Sequence, residues 1–319
     1  MSIRLRTVVT GALSYVPGAM PLYRRFTSRP NPAPAELSYG IWLKHLALSQ
    51  ACRTLAVPRI VAELGPGLSL GAGLAALICG AQRYIALDAV RFAPMAQVLP
   101  TFDRLVELFM RPTRPDNANG FPSYESLLDG AGFPAQALPE AHMRMMLEPE
   151  RIAKLRADVQ TFVGSGGQAS AHITYLAPWQ LAQVLQRGEI DFLFSHTVLQ
   201  HVQSPDVVWK DIGELLCPGG VCSHQISFDS HGTSAVWNGH WAYPEALWRI
   251  ALGRKAFLIN REPLSGHLSA AQRGGLVQVA AMRLQDHTGI RRSAIARQWR
   301  NLDDHDFTTR GTLLVARKR

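Results

Sequence analysis

The chain is poor in cysteine and in acid, and it has no long apolar run. Its four cysteines, Cys52, Cys79, Cys217 and Cys222, form neither a C-x-x-C pair nor a zinc-ligand spacing, which excludes a disulfide framework and a cysteine-ligated zinc site. Reduced thiols, with no secretory signal, predict a cytoplasmic protein. The segment from Thr7 to Met20 is apolar after Arg4 and Arg6, but Pro17 interrupts it and it is too short to cross a bilayer. It predicts a basic N-terminal helix able to touch a membrane surface. Acids number 24 against 33 bases, a net charge of +9. No lysine-rich tract or basic run interleaved with aromatics accompanies that excess, so a nucleic-acid partner is not expected and the charge reads as a solvated surface. Internal repeats and low-complexity tracts are missing as well.

What is present is an ordinary globular composition, 47% apolar and 18% charged over 319 residues, enough for one large domain or a domain with a sizeable insertion. The most informative stretch runs from Arg59 through Glu63, Gly65, Pro66 and Gly67 to Gly71, and is answered by Ile85-Ala86-Leu87-Asp88. An apolar run ending in an acid, a Gly-Pro-Gly turn and an Ala/Leu/Gly-rich segment predict strand, tight loop and helix. Gly65 and Gly67 let the backbone approach a ligand, and Asp88, ending a second strand, can accept bonds from ribose hydroxyls. Dinucleotides and S-adenosylmethionine are both bound this way. The spacing is G-x-G-x-x-x-G, not the G-x-G-x-x-G of a dinucleotide site. Glu63 gives a pyrophosphate nothing, whereas it favours the positive charges of S-adenosylmethionine. The bland alternative is a plain strand-turn-helix whose glycines only make the turn.

Before this unit, a Pro-rich linker, Arg29 to Pro34, leads into a helix over Leu37–Leu55 with Tyr39, Trp42 and His45 near one face. These three serve packing or close over a ligand. After it, residues 90–170 exceed what one crossover helix requires. Helices at Thr101–Met110 and Glu148–Val163, a break from Pro112 to Pro122, and a glycine-rich return at Gly164–Gly167 predict a helical insertion beside the site. Alternation then resumes: strand 171–175, helix Pro178–Gln186, buried strand Ile190–Ser195, a helix from Pro205 to Leu216, a Cys-Pro-Gly-Gly turn at 217–220 and strand Val221–Ile226. A last pair, Leu276–Met282 and Gly311–Arg317, predicts an antiparallel edge. The whole predicts an α/β fold: a Rossmann-like, mainly parallel seven-stranded sheet with helices on both faces. Its core would hold residues 56–89 and 171–319, with cap helices in 1–55 and the insertion at 90–170.

Asp191 to Val202 resembles the fourth-strand signature of the class I S-adenosylmethionine-dependent methyltransferases, and Leu215-Leu216-Cys217-Pro218-Gly219-Gly220-Val221 resembles their turn before strand five, with Cys217 where lysine is usual. Four ordered motifs thus agree over two-thirds of the chain. The resemblance implies S-adenosyl-L-methionine as cofactor, with Glu63, Gly65 and Gly67 around its methionine end, Asp88 at the ribose, and Ser195 and His196 lining the cleft. Leu68 departs from a polar residue common in that loop. Trp179, in Ala177-Pro178-Trp179, stands where adenine would sit or serves as a core residue. In quinone-type O-methyltransferases a similar segment carries a Glu-His pair that binds a divalent metal. Here Gln200 replaces the Glu, and His201 reads as a locally bonded helix-start residue, so no metal is expected.

Beyond strand five, Ser223 to Gly232 and Trp237-Asn238-Gly239-His240-Trp241 are dense in histidine and aromatics, and Asn260-Arg261 follows. This text resembles a bacterial methyltransferase group with an S-H-Q-I-D-F…W-N-G-H-W…N-R-x-P-x-S pattern, Ser227 replacing its Asp. Methyl transfer to a small acceptor, a hydroxyl of a sugar, glycan precursor or related metabolite, is the implied activity. His231 is the expected general base with Asp229 orienting it, and His240 is second choice. Trp237, Asn238, Trp241, Asn260 and Arg261 are expected to grip the acceptor. A nicotinamide-dependent oxidoreductase on the same sheet, and an RNA-directed or non-catalytic relative, are the alternatives.

Overall fold

A computed structural model describes residues 4–16, 33–50, 57–115, 121–123 and 133–319. Seven strands, β1 (Ile60–Leu64), β2 (Arg83–Leu87), β3 (Ile173–Leu176), β4 (Ile190–His196), β5 (Leu216–Ser227), β6 (Leu276–Gln285) and β7 (Thr309–Lys318), form one sheet in the order β3-β2-β1-β4-β5-β7-β6. The first five pair in parallel, and β7 runs antiparallel to both β5 and β6. The mainly parallel sheet with an antiparallel edge is therefore observed. The expected Cys-Pro-Gly-Gly turn lies within β5, as a bulge where pairing with β4 jumps from Leu216 to Val221.

Two apolar layers cover the sheet. One gathers helices α1 (Leu5–Leu13) excepted, α2 (Ala35–Gln50), α3 (Gly71–Ile78), α4 (Met95–Met110), α5 (Glu140–Met146) and α6 (Pro149–Gly164) around Trp42, Phe102, Phe109, Phe162 and Phe192. The other packs α7 (Pro205–Leu215) and α9 (Leu264–Arg273) against β4 and β5 through Trp209, Leu193 and Ile226, while α8 (Glu245–Leu252), which falls between them in the chain, packs instead against α1. Tyr39 and Trp42 are core residues: Tyr39 meets Phe109 edge-on at 4.9 Å, and Trp42 meets Phe192 at 6.0 Å. Packing, not closure over a ligand, is their role.

Three expectations change. α4 begins at Met95 and runs through Pro100, because Val98, Phe102, Leu105 and Phe109 form one continuous buried face. The helices of the 90–170 segment share the core of α2 and α3 instead of standing beside a site; among its described residues only Phe92 reaches the cleft described below. The helix expected over Pro178–Gln186 is a single 3-10 turn, Leu181–Gln183, since Val184 is the only apolar residue there that the core buries. At the C-terminal end, a short helix, α10 (Asp304–Phe307), leads into β7.

Candidate functional site

The ends of β1, β2 and β4 open into a cleft of about 690 Å³, at the switch point where chain connections leave the sheet in opposite directions. It is lined by the β1 turn (Gly65, Gly67, Leu68), Asp88 after β2, Thr197, Val198 and His201 after β4, and the aromatics Phe92, Trp179 and Phe257.

Gly65 and Gly67 have φ of +67° and +64°, a region closed to most side chains. A Cβ on Gly67 would stand in the open cleft, with nothing nearer than the Gly65 carbonyl at 4.0 Å. The turn is held from below: the Gly65 N–H donates to the Leu87 carbonyl at 2.7 Å and the Gly67 N–H to Asp88 Oδ2 at 3.1 Å. The Ala89 N–H donates to Asp88 Oδ1 at 2.7 Å. Burial raises the Asp88 pKa above the usual carboxylate range, and backbone N–H groups of Gly67, Ala89 and Val90 oppose that rise. Trp179 is fixed by its backbone N–H, which donates to the Asp88 carbonyl at 3.0 Å, and its side chain stands on the cleft wall. Gly65, Gly67, Asp88 and Trp179 thus line one cleft.

Glu63 is not in the cleft. Its side chain turns under the sheet end, where the Tyr84 hydroxyl donates to Oε2 at 2.6 Å and the Gly73 backbone N–H adds a bond. Burial pushes its pKa up to about 8. Gly73 is part of the same device, since a Cβ there would run into the Tyr84 ring. Glu63 anchors the start of α3 and thereby the turn.

Ser195 and His196 are also displaced. β4 continues through both, and strand alternation sends their side chains to opposite faces of the sheet. Ser195 is fully buried, with Oγ 2.7 Å from His224 Nδ1; His196 faces His45 across 5.8 Å between ring centroids. The cleft begins one residue later, at Thr197, whose φ of +56° turns the chain away from the sheet.

The region after β5 departs most from expectation. Trp241 is fully buried and its Nε1 donates to the Arg261 carbonyl at 3.1 Å. Asn238 Oδ1 accepts from the Ile290 N–H at 2.7 Å. Trp237 is buried and meets Trp241 at 6.3 Å. The Arg261 guanidinium, itself buried, donates to Glu245 Oε2 at 2.7 Å and to the Tyr243 carbonyl, and stacks over Trp248 at 4.3 Å. These four side chains line no part of the cleft. They pack together as a buried structural cluster in which Trp241, Asn238 and the Arg261 terminal nitrogens are hydrogen-bonded, while Trp237 Nε1 and Arg261 Nε find no partner. Asn260 contributes indirectly: its Nδ2 donates to the Leu199 and Val202 carbonyls at 2.8 and 3.0 Å, clamping the turn that carries His201.

Asp229 does not orient His231, because its Oδ1 accepts from Arg310 Nε at 3.0 Å, and Arg310 also grips Asp286. His231, with φ of +44°, stands edge-on to His201 at 5.0 Å and lies outside the cleft wall. His240 is buried against Trp241, and burial lowers its pKa to about 3. Of these imidazoles only His201 lines the cleft. Its Nδ1 is buried without a hydrogen-bond partner; burial first, then the neighbouring His231, lowers its pKa to about 4, opposed by a backbone bond with Phe257. The fourth-strand text contained His201, but nothing in a linear sequence shows that the turn at Thr197 carries it past Ser195 and His196.

No protein-family model and no curated protein matches this chain. Among solved structures it is similar to geranyl diphosphate C-methyltransferase from Streptomyces coelicolor A3(2) (12% identity, covering 88% of this chain and 77% of that one, TM-score 0.43). It is similar also to phosphoethanolamine N-methyltransferase 2 of Haemonchus contortus (12% identity, 89% and 56% covered, TM-score 0.41). An S-adenosylmethionine-dependent methyltransferase from Mesorhizobium loti shares 15% identity, with 84% and 95% covered and a TM-score of 0.39. Likeness at this distance carries no argument about chemistry.

Proposed function

We propose that this chain is an S-adenosylmethionine-dependent methyltransferase acting on a small-molecule acceptor. The observation that carries the reading is the left-handed Gly65/Gly67 turn bonded to the Asp88 carboxylate at the mouth of an apolar cleft. Asp88 would accept from the ribose hydroxyls, Trp179 would lie against the adenine, and the open space over Gly67 would take the methionine end. The cofactor supplies an activated methyl group on a sulfonium.

The chain's own contribution is positioning. Fixing donor and acceptor in one cleft turns an encounter into an intramolecular-like step. Where the acceptor is a hydroxyl, His201 is the base at the wall: it is neutral at pH 7, and its imidazole would accept the proton as the oxygen attacks. Leu64, Phe92, Val198, Val202 and Phe257 dominate the rest of the wall, which favours an acceptor with an apolar body over a bare sugar. A sugar hydroxyl remains within the proposal as the polar end of such a molecule, for example a glycan precursor carried on an apolar group.

Calorimetry with S-adenosylmethionine, S-adenosylhomocysteine and NADH tests the reading. Micromolar or tighter binding of the first two, about 8 kcal/mol, is expected. NADH binding without S-adenosylmethionine binding would make the protein an oxidoreductase.

A further inference from the structure

α1 presents its apolar face outward. Leu5, Val9 and Leu13, at i, i+4 and i+8, form one stripe, which a surface helix ordinarily turns toward the core. Here the buried residues are Thr7 and Gly11, while Leu5, Val9 and Leu13 are 74%, 47% and 44% exposed. The orientation is locked. Gly11 lies against the carbonyls of Ile250 and Ala251 on α8, where a Cβ has no room. Thr7 Oγ1 donates to the Gly232 carbonyl at 3.4 Å, Lys255 Nζ to the Thr7 carbonyl at 3.1 Å, and the Arg254 N–H to Ser14 Oγ at 2.7 Å. Rolling the helix to bury the stripe would break all of these.

The apolar surface continues. Ile250 on α8 is 45% exposed, and Tyr15 and Val16 extend the C-terminal end of α1. Two residues beyond Lys255, Phe257 is 43% exposed, meets Phe92 at 5.8 Å and lines the cleft. α1 lies against α8, and the segment that follows α8 carries Phe257 to the cleft mouth. The charge along α1 has one sign: the helix and its flanks carry Arg4 and Arg6 and no acid, and the first 35 residues of the chain hold five arginines and no Asp or Glu. Arg249 and Arg254 lie on the neighbouring α8 and its exit.

We propose that the outward stripe of α1, with the neighbouring Ile250, is an interfacial docking face for an anionic lipid bilayer. An apolar stripe flanked by arginines matches an acyl-headgroup boundary bearing negative lipids. A second copy of the chain fits less well, because a two-fold contact through this face would bring basic rims together.

Docking is separable from methyl transfer and is measured without cofactor. Vesicles of phosphatidylcholine with about one-third phosphatidylglycerol should co-sediment the wild-type chain, pure phosphatidylcholine much less, and added salt should weaken binding. Val9→Asn with Leu13→Asn should reduce binding about tenfold or more while leaving the thermal transition and S-adenosylmethionine affinity unchanged, since both side chains are exposed. Leu5→Asn alone, the most exposed position, gives the same reading should the double variant fold poorly. Failure of the wild type to bind the anionic vesicles, or equal binding by wild type and variants, would overturn the proposal. So would light scattering that shows a wild-type dimer dissolved by these substitutions, which would assign the face to a second copy.

Discussion

Gly67 donates its backbone N–H to Asp88 Oδ2 across the ends of β1 and β2, at 3.1 Å. The acid is thereby held ready before a ligand arrives, and the same bond keeps the left-handed turn closed. Asp88→Ala should weaken S-adenosylmethionine binding by roughly 1.5 to 3 kcal/mol, about ten- to a hundredfold, through loss of charge-assisted bonds. Asp88→Asn should fall between, because it keeps an acceptor but not the charge. Calorimetry that shows both variants binding like the wild type would remove Asp88 from the site.

Glu63 gives a pH signature of its own. Burial raises its folded pKa to about 8 from the ordinary glutamate value of 4.5. Its contribution to stability is therefore complete below pH 4.5 and is lost as pH rises toward 8, because only the unfolded chain ionises freely in that window. Glu63→Gln, which stays neutral, should gain stability relative to wild type on going from pH 5 to pH 8, by up to about 2 to 4 kcal/mol. Tyr84→Phe should destabilise the chain by about 1 to 3 kcal/mol by leaving the carboxyl short of a donor. Urea denaturation at several pH values measures both; a pH-independent difference between wild type and Glu63→Gln would contradict the buried-carboxyl account.

What the sequence made legible follows from which rules are local. Gly65, Gly67 and Asp88 were readable because a turn that needs positive φ and an acid at a strand end leave their mark within a few residues. The mainly parallel sheet was readable because β-α alternation is a periodic signal, and the late strands Leu276–Met282 and Gly311–Arg317 stand outside that alternation. Ser195 and His196 failed because a strand one residue longer moves the cleft from them to Thr197. Trp237, Asn238, Trp241 and Arg261 failed for a different reason. A cluster of aromatics, amide and guanidinium has the composition of a binding site and equally that of a buried structural core, and only tertiary placement separates the two. Glu63 was found as a special acid, but its partner Tyr84, twenty-one residues on, was not visible as such.

Acid should unfold this protein early. Burial lowers the pKa of His196, His224 and His240 to about 3 and that of His267 to about 4, and sends His45 well below its usual range. Each of these is neutral in the folded state, so its contribution is present above the unfolded value of 6.5 and falls as pH drops below it. Tryptophan fluorescence should report loss of structure beginning near pH 6, at up to about 1.4 kcal/mol per pH unit per histidine. His224→Gln should shallow the slope, even where its lost bond to Ser195 lowers stability at pH 7. A chain equally stable at pH 7 and pH 4.5 would mean that these imidazoles find water on protonation.

His201 decides how much of the catalysis is acid-base chemistry. It is the cleft's one imidazole among the described residues; Asn260 holds its turn through two carbonyls, and His231 stands behind it. With a hydroxyl acceptor, His201→Ala should lower kcat about a hundredfold, the low end of the general-base range, because a nitrogen with a depressed pKa is a weak base. Cofactor affinity should change little. His231→Ala should cost less than His201→Ala, since it removes only the ring packed against the base, and Asn260→Ala should raise the KM for the acceptor by loosening the turn. The rate should show no separate acid limb near pH 6.5, because His201 stays neutral there; its fall on acidification should coincide with loss of the fold. Unchanged turnover in His201→Ala, with a hydroxyl acceptor in hand, would leave alignment of donor and acceptor as the whole of the catalysis.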